Sequence, residues 1–163
     1  MSEAFDISDG LLKAFATNDR INAYLIRGVP EAALNLQPPN GKGRSIAKIF
    51  AHMHNVRLMW LASLDKTAAL PAKLEGEEFS SDRVVAALEQ SCSALMNRLA
   101  ASIAGDGKIR GFKPDAVSFF AYLIAHDAHH RGQVALLARE LGHPVPKNVL
   151  FGLWEWDTRG RKK

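Results

Sequence analysis

Clusters of Pro and Gly at 28–30, 38–43, 71–76, 105–107 and 142–146 cut the chain into four long stretches, each with apolar residues recurring at helical spacing. No run alternates apolar and polar residues in the manner of a strand. The expected fold is therefore all-α. The first helix is expected from Ile7 to Arg27, with Leu11, Leu12, Phe15, Ile21, Leu25 and Ile26 apolar and a stop near Gly28 and Pro30. A second starts after Ser45, a good N-cap, and passes Ile49, His52, Met53, Val56 and Trp60 toward Leu64. A third begins at Ser80 or Ser81 and carries Leu88, Cys92, Leu95 and Leu99 on one stripe. The fourth starts around Pro114, in its first turn, and runs to Leu141 and Gly142, beyond which Pro144 and Pro146 forbid continuation. Four such helices bury one another as a four-helix bundle, and residues 1–163 are read as one domain with its ligand sites between facing helices.

Composition removes several classes of function. The net charge of +4 vanishes once Arg159, Arg161, Lys162 and Lys163 at the C-terminal end are set aside, since 4 minus 4 leaves zero. The body thus has no basic excess to recommend nucleic acid as a partner. No apolar run approaches the roughly 18 residues of a membrane span. A single cysteine, Cys92, forms no internal disulfide and reads as a small core residue on the third helix. Without a secretory leader pattern, the expected location is the cytoplasm.

The chemistry is concentrated in His126-Asp127-Ala128-His129-His130-Arg131-Gly132-Gln133, which holds three of the six histidines. His126 and His130 are four apart, so their imidazoles leave one helix face a turn from each other, a spacing that one metal ion can bridge. The Glu of a His-Glu-x-x-His protease motif is missing, because Asp127 and Ala128 follow His126. His129 falls about 60° to the side, near Tyr122 and Gln133, where it can line a pocket. Core histidines satisfied by backbone carbonyls are the plain alternative. An open catalytic site needs a third ligand, and His52 and His54 are the candidates before the fourth helix. Periodicity does not separate them, because both lie on apolar faces. Trp60 or Leu61 is expected at a subunit contact, and Lys48 and Asn55 on a wetter strip. His143 reads as a helix-end or loop residue, and Trp154 and Trp156 as anchors for the tail. Asp127 is either a buried ion-pair partner or the group that orients a ligand imidazole. Arg131 is assigned a structural role, pairing with Glu140 or a neighbouring subunit, rather than binding a thiol's carboxylate. Tyr122 has its hydroxyl one turn from His126.

The segment from Ile46 to Trp60, the His126 to Gln133 run and Trp154-Glu155-Trp156 together resemble the DinB-like or YfiT-like metal-binding bundles. The resemblance implies one divalent metal held by His52, His126 and His130, which decides against His54. Zinc is the default ion, with nickel or manganese as alternatives because imidazole suits several divalent ions, and a homodimer is expected. It also suggests a thiol S-transferase, in which the metal holds a low-molecular-weight thiol as its thiolate. Hydrolysis by a metal-activated water, and a non-catalytic metal or small-ligand binding protein of stress response, are the other readings.

Overall fold

The structure, a computed structural model, describes residues 4–161. Among them are seven helices: α1 (Ile7–Gly28), α2 (Glu31–Leu34), α3 (Ile46–Leu64), α4 (Ser81–Ala104), α5 (Ala116–Glu140), α6 (Lys147–Gly152) and α7 (Trp156–Gly160). No strand forms among the described residues. An isolated bridge between Ile109 and Phe112 pins the turn before α5.

Each long helix starts where a side chain can satisfy a free amide. Asp6 accepts from the Ser8 and Asp9 amides, Ser45 from Lys48, Ser80 from Arg83 and Asp115 from Ser118. Asp115, not Pro114, therefore sets the start of α5, and the proline lies one residue outside the cap. At the other end, Gly142 takes φ +77°, its amide reaches the Arg139 carbonyl, and the His143 amide reaches Ala138. This closes α5 with the paired bonds of a Schellman motif, so His143 serves the helix end through its backbone.

The four long helices form the bundle, with α1 and α3 on one diagonal and α4 and α5 on the other. Two apolar clusters fill it. One gathers Leu25, Ile26, Ile46, Phe50, Leu88, Val134 and Ala138. The other holds Phe15, Leu58, Leu61, Leu95, Leu99, Phe119, Phe120 and Leu123. Leu61 is thus part of the chain's own core. Trp60 lies edge-on to Phe112, Phe119 and Tyr122, so the subunit contact expected of this pair is not needed to cover it.

The tail docks differently from the expectation. Pro146 ends no helix but begins α6, which lies so close to α1 that a Cβ on Gly28 would sit 2.5 Å from Val149 Cγ1. Trp156 is 38% exposed, but Trp154 is 80% exposed and does not anchor the tail. Arg159 does so instead: its guanidinium lies 3.7 Å from the centre of the Tyr24 ring, while Arg20 donates to the Arg159 and Gly160 carbonyls. The anchors are cationic and polar because the α1 surface beneath the tail offers a tyrosine and an arginine.

Candidate metal centre

His52 comes from the middle of α3, and His126 and His130 from successive turns of α5, the helix packed beside it. One nitrogen from each lies within 4.8 Å of the others. The His52 ring centre is 4.9 Å from that of His130 and 5.7 Å from that of His126. His126 Nε2 and His130 Nε2 stand 3.2 Å apart.

The donor set fits an ion. Zinc–imidazole bonds of about 2.0–2.1 Å at a tetrahedral angle separate two ligand nitrogens by roughly 3.3 Å, close to the 3.2 Å between His126 and His130. The far sides of the rings are already engaged. His130 Nδ1 lies 2.7 Å from Gln133 Oε1, which can only accept, so this nitrogen carries the proton and Nε2 is left bare. His126 Nδ1 faces Asp127 Oδ1 at 3.7 Å, and the carboxylate favours a proton there too. The bare His130 Nε2 thus points at His126 Nε2, and a cation between them would take a lone pair from each. Burial is the main influence that lowers the pKa of His52, to about 4, with the Arg44 charge adding to it. Burial also lowers that of His130, so these rings are neutral and able to ligate at pH 7.

Behind the histidines lies a buried polar cluster. Arg57 on α3 is 1% exposed; its Nη1 donates to Asp19 Oδ1 at 2.6 Å and to the Leu88 carbonyl at 3.1 Å, and Nη2 to Asp127 Oδ2 at 2.8 Å. The same Asp127 oxygen accepts from Asn18 Nδ2 and Asn22 Nδ2. Arg131 Nη1 in turn donates to both asparagine oxygens. Burial works against ionisation of Asp127, but the Arg57 charge and the hydrogen bonds from Arg57 and Asn22 prevail and hold its carboxyl well below the usual range. Burial raises the pKa of Asp19, against the pull of Arg57. Cations and carboxylates balance two against two, which is what makes so much buried charge tolerable.

Of the two readings of Asp127, the ion-pair partner is the one found, through Oδ2; Oδ1 lies 3.7 Å from His126 Nδ1. Arg131 has the structural role expected, with Asn18 and Asn22 as partners in place of Glu140. His54 lies apart from the cluster, fully buried, its Nε2 2.9 Å from the Ala72 carbonyl. Next to it, Asn55 exchanges two hydrogen bonds with Leu74, so this side of α3 holds down the segment 71–79 instead of facing water. His129 is exposed and accepts from Gln133 Nε2 at 3.0 Å, so Gln133 links it to His130. Tyr122 stacks beside Phe119 with its ring centre 6.1 Å from that of His126, forming a wall of the site. Cys92 is a core residue whose thiol burial keeps protonated.

Arg57, Asp19, Asn18 and Asn22 were not singled out by the sequence reading, yet two of the signals are visible. Phe15, Asp19, Asn22 and Ile26 follow steps of four, three and four, and so do Phe50, His54, Arg57 and Leu61. Polar residues at such core positions announce one another as partners.

No curated protein matches the chain. The model of the DinB family matches residues 1–159, nearly its whole length, and an all-α bundle with three converging histidines agrees with that match. The chain belongs to the DinB family.

Proposed function

We propose that the protein holds one divalent metal through His52, His126 and His130 and acts as a metal-dependent thiol S-transferase. The carrying observation is the convergence of three imidazole nitrogens from two adjacent helices, with no carboxylate or thiolate among them. Such a set leaves the charge of the ion uncompensated and a position open. When bound, the metal would supply Lewis acidity that favours the thiolate form of a small thiol.

The chain's residues have defined tasks in this reading. Gln133 holds the proton of His130 on the nitrogen facing away from the centre, and Asp127 sets its negative charge 3.7 Å from His126 Nδ1. Phe119 and Tyr122 exclude water on one flank. A cleft of about 400 Å³ opens at His52 between Arg44, Lys48, Asn55, Leu74 and Phe79, large enough for a small thiol. Hydrolysis is the weaker reading because Asp127, the carboxylate beside the histidines, is 2% exposed and committed to Arg57 and two asparagines, out of reach as a base for water.

Elemental analysis of untagged protein tests the first half. Near-stoichiometric metal is expected in wild type and His54→Ala, and loss of metal in His52→Ala and His130→Ala. Metal-free wild type after supply of zinc, nickel and manganese refutes it. Cobalt-substituted protein titrated with 2-mercaptoethanol tests the second: a thiolate-to-cobalt absorption band is expected, and its absence removes the transferase reading.

A further inference from the structure

A wall held by side chains flanks the His52 cleft. The segment 71–79 has no regular secondary structure, yet it is fixed along α3: His54 holds the Ala72 carbonyl, Asn55 the amide and carbonyl of Leu74, and Asn35 those of Phe79. Between this wall and α3 runs a groove in two parts. The first is the cleft of about 400 Å³ at His52. The second, of about 680 Å³, is lined by Leu58, Met59, Ala62, Leu70 and Pro71. Asn55 and Glu75 line both, so the one continues into the other.

Both walls change character in the same direction. On α3, His52, Asn55, Met59 and Ala62 follow steps of three, four and three, so they share one face over about 15 Å at 1.5 Å per residue. The facing segment runs the opposite way, with Glu75 and Lys73 toward His52 and Pro71 and Leu70 at the far end. Polar groups thus gather where the two parts meet, and the far part is apolar. Lys73 and Glu75 are exposed and make no ion pair among the described residues, which leaves them open to a polar head. Met59 is 55% and Leu70 41% exposed, two large apolar side chains open to water across one groove. Methionine adapts its shape to apolar bodies of varied outline.

The transfer proposed above needs two substrates, and a small thiol accounts only for the space at His52. Resting on that reading, we infer that the apolar part of the groove seats the second substrate: an electrophile whose reactive carbon is carried on an elongated apolar body. The body lies along Met59, Ala62, Leu70 and Pro71, and the reactive end reaches past Asn55 toward His52. The terminal epoxide of a linear alkane has this build. In the reaction the thiolate sulphur forms a bond to the terminal carbon and the bond from that carbon to the ring oxygen breaks. The oxygen then takes a proton in place of the one that the thiol gave up, so thiol and epoxide become one hydroxy thioether. A cavity of this size buries most of such a body, and each methylene taken out of water adds to affinity.

Binding is read first, by calorimetric titration of the full chain with 1,2-hexanediol, 1,2-octanediol and 1,2-decanediol, which carry a polar head but no reactive carbon. Affinity is expected to rise about twofold to fourfold for each added methylene. The rise should flatten in Met59→Glu and in Leu70→Glu, with Tm nearly unchanged because both side chains face water. Turnover is read next, on metal-loaded protein with 2-mercaptoethanol and 1,2-epoxyhexane, 1,2-epoxyoctane and 1,2-epoxydecane, where kcat/KM should climb by the same factor. Diol binding that is absent, indifferent to chain length or equally steep in both variants overturns the inference, as does epoxide turnover indifferent to chain length, and the transferase reading then still stands. Graded diol binding without turnover of any epoxide overturns the transferase reading and, with it, the assignment of the groove to an electrophile.

Discussion

Replacing Arg57 by Met is the most severe test of the buried cluster. Met retains much of the volume that the arginine stem fills over Phe15, where the guanidinium carbon lies 5.3 Å from the ring centre. What disappears is the charge and its bonds to Asp19, Asp127 and the Leu88 carbonyl. Two carboxylates of 5% and 2% exposure then face each other without the cation between them. Breaking a buried ion pair from one side costs about 3–5 kcal/mol. Asp19, whose burial already favours its protonated form, relieves part of this by taking a proton, so the expected loss is near the lower bound, about 3 kcal/mol. For a chain of this length that corresponds to a fall in Tm of roughly 6–12 °C. Urea unfolding followed by circular dichroism gives the difference from the midpoints at constant slope. Adding Asp19→Asn to the Arg57→Met variant removes one of the stranded charges and should recover about 1 kcal/mol or more. A loss below about 1 kcal/mol for Arg57→Met, or no recovery in the double variant, would refute the view that these charges depend on one another.

Acid stability follows from Asp127. Its folded pKa is depressed, so its contribution is complete above the unfolded value of about 3.9 and is lost as pH falls through the lower folded one. The stability difference between wild type and Asp127→Asn should therefore be constant above about pH 5 and shrink below pH 4; a difference that grows on acidification contradicts this. Gln133→Leu frees the Nδ1 proton of His130, and metal affinity measured by chelator competition should fall about 10-fold to 100-fold with Tm nearly unchanged. Gly28→Ala drives a Cβ against Val149 and should cost about 1–3 kcal/mol, most of it recovered by Val149→Ala; independent effects would show that α6 does not rest on that glycine. Arg159→Ala removes the cation from the Tyr24 face and should speed protease cleavage within α7 without altering the unfolding midpoint of the bundle.

The helices were legible because caps and breakers are local. Ser45, Asp115 and Gly142 act on amides and carbonyls a few residues away, so their effect can be read within one turn, although Pro114 drew attention from the cap beside it. The pair His126 and His130 was legible for the same reason. Choosing His52 over His54 was not, because it depends on which side of α3 meets α5 and which meets the segment 71–79. Both faces are apolar, and the partners that distinguish them, the Ala72 carbonyl and the α5 imidazoles, are remote in sequence. Arg57 was passed over since a single charge on a helix reads as solvated until its two carboxylates are found on other helices. The tail misled for a related reason: large aromatic residues promise burial, but Trp154 has no concave surface to enter, whereas Arg159 meets a tyrosine face.

The cluster around Arg57 also bears on how such a chain can change over time. Asp19, Arg57 and Asp127 lie on three different helices and satisfy one another, so losing any one of them leaves charges stranded in the interior. A lineage can leave this arrangement only through a poorly folded intermediate or by near-simultaneous replacement. Positions 19, 57 and 127 are therefore bound to a common evolutionary fate, and His126, whose ring faces that same Asp127, inherits the constraint whatever reaction its neighbours come to perform.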